Sequence, residues 1–226
     1  MKTISRTAIA LSCLLAITAC NKKPAEEAAT PAAPAVVTAP AAPAPAAEPT
    51  AEERERAEKE ARLAYSMMED QYINDPKAQW ATSAKASSTF GEKGDSMPRT
   101  PEESRAWKAT GKPDGYEWSQ LNHDTGMDWL ELGFATPVQA TAVRAVFISS
   151  EAVESIAKVE LIDVSGAAIQ VWSGLSDVKP DQRGDRTWFV REFPKTEKKI
   201  QGVKLTFANA VASGFKQVDA VQLIGE

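Results

Sequence analysis

Between residues 77 and 226, short runs of the chain place apolar side chains at every second position rather than every third or fourth. No other feature of the chain restricts its fold as strongly. Leu130/Leu132/Phe134 and Val203/Leu205/Phe207 are the clearest cases, and in extended backbone such a period lines one face with apolar groups while the other meets water. Runs of this kind, bounded by Gly, Pro, Asp and Ser, predict strands near 80–90, 128–134, 140–149, 156–164, 168–173, 187–193, 200–207 and 217–224. No helical period separates them. The expectation is therefore an all-β fold, an antiparallel jelly-roll β-sandwich rather than a parallel sheet. A domain of this length buries roughly 68 to 70% of its unfolded surface, enough for one core.

The preceding segments have a different texture. Thr50-Ala51-Glu52-Glu53 is a capping box, in which the Thr50 hydroxyl and Glu53 carboxylate satisfy the first free amides of a helix. Glu52/Arg56, Glu55/Lys59 and Glu58/Arg62 follow at i, i+4 with the acid first, the favourable order. Ala57, Ala61, Ala64, Met68 and Tyr72 form one stripe, and Asn74-Asp75-Pro76 ends it. Residues 51–75 thus read as a short helical connector that docks its last two turns on the domain, or alternatively as an oligomerising helix. Residues 20–50 are almost wholly Ala, Pro, Thr, Val and Glu, a composition too poor in core formers to order itself. They are expected to form a disordered tether spanning up to roughly 90 Å at about 3.1 Å per residue.

Lys2 and Arg6 precede an apolar run, 8–19, that is too short for a bilayer and fits a cleavable secretory leader over 1–19. Its end, Ile17-Thr18-Ala19-Cys20, resembles the lipobox of bacterial lipoproteins. That resemblance implies lipid attachment at Cys20 and membrane anchoring through the N-terminus. By the same resemblance, Asn21 after the cysteine favours the outer membrane. Cys13, the only other cysteine, falls within the leader, so the mature chain is expected to keep one cysteine and no disulfide. A net charge of -5 without a basic stripe argues against a nucleic-acid partner. With His123 the only histidine, no multi-histidine zinc site can be built.

An ordered set of landmarks runs through the β region: Trp80-Ala81-Thr82-Ser83-Ala84-Lys85-Ala86-Ser87-Ser88, Ala109-Thr110-Gly111-Lys112-Pro113-Asp114-Gly115, Asp128-Trp129-Leu130-Glu131-Leu132 with Pro137-Val138, Ala157 to Asp163, and Val218-Asp219-Ala220-Val221-Gln222-Leu223-Ile224-Gly225. In order and spacing, from Trp80 to the C-terminus, it resembles the bacterial variety of the discoidin (coagulation-factor C-type) domain of the galactose-binding-like superfamily. The resemblance implies a jelly roll that binds carbohydrate or another surface ligand through loops at one end, usually without catalysis. It also implies a structural calcium near Asp114, helped by Asp219 in the last strand. Calcium takes roughly six to eight oxygens, and the acids at hand are Asp114, Asp219 and either Asp124 or Asp128. Surface acids and turn formers account for these residues equally well. The chain departs from many members in lacking their bracketing disulfide and in running from Gly115 straight into Tyr116-Glu117-Trp118.

The long connection 91–125 carries Trp107, Tyr116, Trp118 and His123. Loops of this length are often functional, and aromatic faces suit the C–H face of a pyranose while neighbouring polar groups bond its hydroxyls. Core packing competes with ligand contact at each ring. Trp129 is a poorer candidate, because it begins a strand whose alternation faces the core. His123 with Asp124 is a polar sugar contact, a proton-transfer pair or a solvated turn. Residues 173–186 read as a charged hairpin connection or as part of a polar rim. The leading expectation is a non-enzymatic module that recognises glycan or a cell-envelope surface component. The alternatives are an assembly protein docking on a protein partner and a hydrolase using Asp114 and Asp128.

Overall fold

A computed structural model describes residues 48–91, 105–148 and 151–226. The leader, Cys20 and most of the tether lie outside the described residues. Helix α1 (Ala51–Ile73) starts at the expected capping box, with the Thr50 hydroxyl accepting from the Glu53 amide and the Glu53 carboxylate accepting from the Thr50 amide. Lys59 pairs with Glu55 and Arg62 with Glu58, whereas Arg56 turns forward to Glu60 rather than back to Glu52. Among the described residues no helix is long and apolar enough to cross a membrane.

The remainder is an antiparallel jelly-roll sandwich. One sheet orders β1 (Ala78–Trp80), β9 (Val218–Gly225), β4 (Ala140–Phe147) and β7 (Thr187–Glu192). The other orders β2 (Ser83–Ala86), β3 (Met127–Val138), β8 (Ile200–Ala208), β5 (Ile156–Asp163) and β6 (Ala168–Ser173). The single strand expected over 80–90 is instead two short ones in different sheets. Ala81 donates its amide to Val221 in the first sheet and Thr82 donates to Gly133 in the second, so the chain crosses the sandwich between adjacent residues. Residues 173–186 likewise join β6 to β7 across the two sheets, so the connection is not a hairpin.

The alternating positions meet between the layers. Leu130, Leu132 and Phe134 from β3 pack with Val203, Leu205 and Phe207 from β8, Val143, Ala145 and Phe147 from β4, and Val221 and Leu223 from β9. On the opposite face of the larger sheet, register aligns Lys85, Glu131, Lys204 and Glu160 in a row of alternating charge. Trp129 belongs to that outer face, with the Lys204 ammonium 4.3 Å from its ring centroid. The expectation that it faces the core is therefore corrected: period 2 makes Leu130 and Leu132 the inward residues and Trp129 an outward one.

The outer face of the smaller sheet is covered by α1. Tyr65, Met68, Tyr72 and Ile73 pack on Val146, Trp188, Ala220, Val190 and Trp80. Tyr72 meets Trp188 edge-on at 5.2 Å, and the Arg144 guanidinium sits 4.2 Å over the Tyr72 ring while bonding Asp75 at 2.9 Å. Tyr65 donates its hydroxyl to the Arg186 carbonyl at 2.8 Å. Burial, aided by the Glu69 charge, pushes its phenol up to about 12. The last turns of α1 thus dock as expected, and they form a third layer.

This packing separates two substitutions on one helix. Tyr65→Ala is expected to cost about 3 kcal/mol in urea unfolding, because it empties a buried aromatic site, whereas Leu63→Ala, 62% exposed, should stay within about 0.5 kcal/mol. Equal effects would mean that the helix is not docked.

Candidate functional site

The strand registers bring the described parts of four connections to one end of the sandwich: 87–91 with 105–126, 148 with 151–155, 174–186 and 209–217. Polar side chains tie them together. Asp128, at the start of β3 and nearly inaccessible, accepts from the Ser87 hydroxyl at 2.5 Å, the Ser88 hydroxyl at 2.8 Å and the Asn209 amide at 2.8 Å. Asn209 also donates to the Thr125 carbonyl at 3.0 Å, and Ser88 accepts the Leu121 amide at 3.0 Å. One carboxylate therefore fixes parts of two connections.

Trp118 is not on the surface. Its backbone pairs with Val218 in both directions, lying beside β9 on the side that β1 takes further along the strand. Its indole is fully buried, donates to the Ser88 carbonyl at 3.0 Å and packs on Phe207 at 5.7 Å. An indole N–H with an internal acceptor belongs to the core, so the expectation that Trp118 touches a ligand is withdrawn.

His123 does lie at the surface, with its ring nitrogen against the Asp124 carboxylate. Two rings that sequence reasoning did not select join it: Phe215 stands 4.9 Å from His123 and Phe90 stands 4.4 Å from Phe215. Phe90 is half exposed. Sequence reading placed Phe90 at the end of a strand, and Phe215 lies outside the long connection. The Ala212-Ser213-Gly214 turn just before it was the available signal. Trp107 and Tyr116 are strongly exposed, at 61% and 65%, and among the described residues no ring contact links either to the His123 cluster. Trp107 sits in a short 3-10 turn, Arg105–Ala109, whose Ala106 and Ala109 are the buried members.

The sequence-predicted acids do come together in part. Asp219 is the residue bulged out of β9 between Val218 and Ala220. Its carboxylate, inaccessible to solvent, accepts the backbone amides of Asp114 and Gly115, each at 3.2 Å, and the Arg186 guanidinium at 3.3 Å. Asp114 accepts the Tyr116 amide at 2.9 Å, closing the turn at Gly115, whose φ of +88° suits glycine. Burial pushes the Asp219 carboxyl above its ordinary value, against the amide donors and Arg186, which pull it down.

These residues do not fit calcium. The Asp219 oxygens face N–H donors and a guanidinium, groups that repel a cation, and Asp128 and Asp124 hold other partners. No cluster of three or more His, Cys, Asp or Glu that could hold a metal occurs among the described residues. Asp114 and Asp128, weighed as a hydrolytic pair, are likewise each held by separate donors.

No protein-family profile matches the sequence, and no curated protein matches it. Solved structures similar to it include, from Clostridium perfringens, CpGH89CBM32-5 in complex with GalNAc-beta-1,3-galactose (11% identity, 68% of this chain and 99% of that one, TM-score 0.45). A second is CBM32-3 from a family 31 glycoside hydrolase of the same organism (12%, 66% and 96%, TM-score 0.48). A third is chitosan-binding module 1 from a chitosanase/glucanase of Paenibacillus sp. IK-5 (14%, 63% and 94%, TM-score 0.42). At these values the ligands of those modules say nothing of this chain's site.

The Asp219 locus yields a paired test. Because burial raises the folded-state pKa above the unfolded one, the contribution of this carboxyl is most favourable below the unfolded pKa and declines as pH rises through the folded one. At pH 7 Arg186→Met should therefore cost about 2 kcal/mol by leaving a buried carboxylate with its two amide donors but no countercharge, and adding Asp219→Asn should recover most of the loss. A double variant as unstable as Arg186→Met in urea unfolding would show that the pair is not coupled.

Proposed function

We propose that the chain is a non-catalytic binding module of the bacterial cell envelope, with a discoidin-like sandwich held to the membrane by lipid on Cys20 and a glycan as its ligand. The observation that carries the glycan reading is the contact of three partly exposed rings, Phe90, Phe215 and His123, beside the exposed Asp124 carboxylate on the tied loop end. Apolar ring faces cover the C–H face of a sugar, and an imidazole–carboxylate pair offers donor and acceptor to its hydroxyls. The anchor follows from the leader, the lipobox resemblance and the tether composition, with Asn21 favouring the outer membrane.

A second reading, docking on a protein partner of the envelope, has its own support. Trp107 and Tyr116 are large, exposed and separate from the ring cluster, and such aromatics are frequent anchors of protein interfaces.

Glycan arrays and peptidoglycan pull-downs at high protein concentration separate the two. Binding that drops by about tenfold in Phe215→Ala and His123→Ala, a loss of about 1.4 kcal/mol, and that Trp107→Ala leaves intact supports the first. Blank arrays together with one stoichiometric cross-linked protein, lost in Trp107→Ala, support the second. Palmitate labelling should be abolished by Cys20→Ser; labelling that survives removes the anchor.

A further inference from the structure

Lys216, two residues ahead of β9, is fully buried. Its ammonium donates to the carbonyls of Ala212 and Gly214, each at 2.6 Å, and to that of His123 at 3.3 Å. Its backbone amide donates to the Gln120 side-chain oxygen at 2.7 Å. Gly214, at φ +75°, provides the left-handed turn that brings the loop back over the lysine stem. Taking a cation out of water is costly unless acceptor dipoles replace its hydration. Here carbonyls from two separate connections supply those dipoles. One of them belongs to His123, and the residue next to Lys216 is Phe215, so the cage is built from the backbone that carries the two touching rings.

We infer that Lys216 is the positioning residue of the binding face, a resident cation that holds the 119–126 and 209–217 connections in register. Its functional meaning rests on reading that face as the glycan site; the cage itself does not. The misfit at Asp219 points the same way. Where the family resemblance implies a divalent ion, this chain ties its loops with its own side-chain cations, Lys216 among carbonyls and Arg186 on Asp219. The face is assembled without calcium.

The full chain tests this. Under native reductive methylation Lys216 stays unmodified while Lys59 and Lys179, both more than 70% exposed, react. In the wild type, melting temperature and the NMR resonances of the His123 and Phe215 rings are the same in EDTA and in calcium. Lys216→Met keeps the stem and removes the charge. It should lower the melting temperature by about 5 °C or more, shift both ring resonances and weaken any glycan binding by about tenfold. Methylation of Lys216 at the rate of Lys59, ring shifts on adding calcium, or unchanged rings in Lys216→Met each overturn the inference. If that variant does not fold, methylation and the calcium comparison on the wild type still decide. A protected Lys216 with blank glycan arrays removes the glycan reading alone. Glycan binding with rings and affinity indifferent to Lys216→Met removes this inference alone.

Discussion

Polar groups carried out of water at one end of the sandwich must be satisfied there, and the candidate binding face stands on that condition. The core between the sheets needs only apolar side chains at alternate positions, but the loops that close it bring carbonyls, amides and charges inward. Asp128 answers two serine hydroxyls and an amide, Lys216 answers carbonyls from two loops, and Asp219 answers two amides and a guanidinium. Each joins segments far apart in sequence, as in Ser87 with Asp128, Asp114 with Asp219 and His123 with Lys216. Removing any of these three central charges leaves several buried donors or acceptors short of a partner, which costs more than one bond was worth. These bonds join the described parts of the loops that carry the rings of Phe90, Phe215 and His123.

The sandwich was legible because its signal is local and periodic. A run such as Val203/Leu205/Phe207 reports its own inward face, and the Thr50–Glu53 box reports its own helix start. What could not be read depends on the fold as a whole. The run at 80–90 looks continuous because Ala81 and Thr82 carry no breaker; the change of sheet is decided by Val221 and Gly133, more than fifty residues away. Trp118 and Trp107 are both indoles in the same long connection. Only the pairing of Trp118 with Val218 sends one into the core and leaves the other in water. A lysine just ahead of a strand reads as surface, so the burial of Lys216 had no sequence signal, and Phe215 beside it was passed over.

The order of a strand start can also be misjudged by one residue. The sequence groups Trp129 with the core because its strand faces the core, yet a shift of one position reverses the face of every side chain. The outcome is an outer surface on which Trp129 lies beneath Lys204, next to the charged row of Lys85, Glu131 and Glu160. That row gives the larger sheet a solvated face. The smaller sheet, with Trp188 and Trp80 on its outer side, has an apolar one and needs a cover.

Helix α1 is that cover, and its direction bears on the binding face. Its C-terminal turn leads into β1, which pairs with the end of β9 far from the loops, while Tyr65 lies against Gly184 and Arg186 just before β7, at the loop end. The helix therefore runs from the loop end to the opposite end. The fourteen residues of α1 ahead of Tyr65 continue for about 20 Å at the usual helical rise. They hold ion pairs rather than core contacts. Arg186 is the joint between the two features: it reaches Glu69 on the helix at 3.7 Å and Asp219 at 3.3 Å, and Asp219 holds the turn that displays Tyr116. Helix docking and loop geometry thus meet at one guanidinium, which touches both Glu69 of α1 and the carboxylate that holds the turn at Gly115.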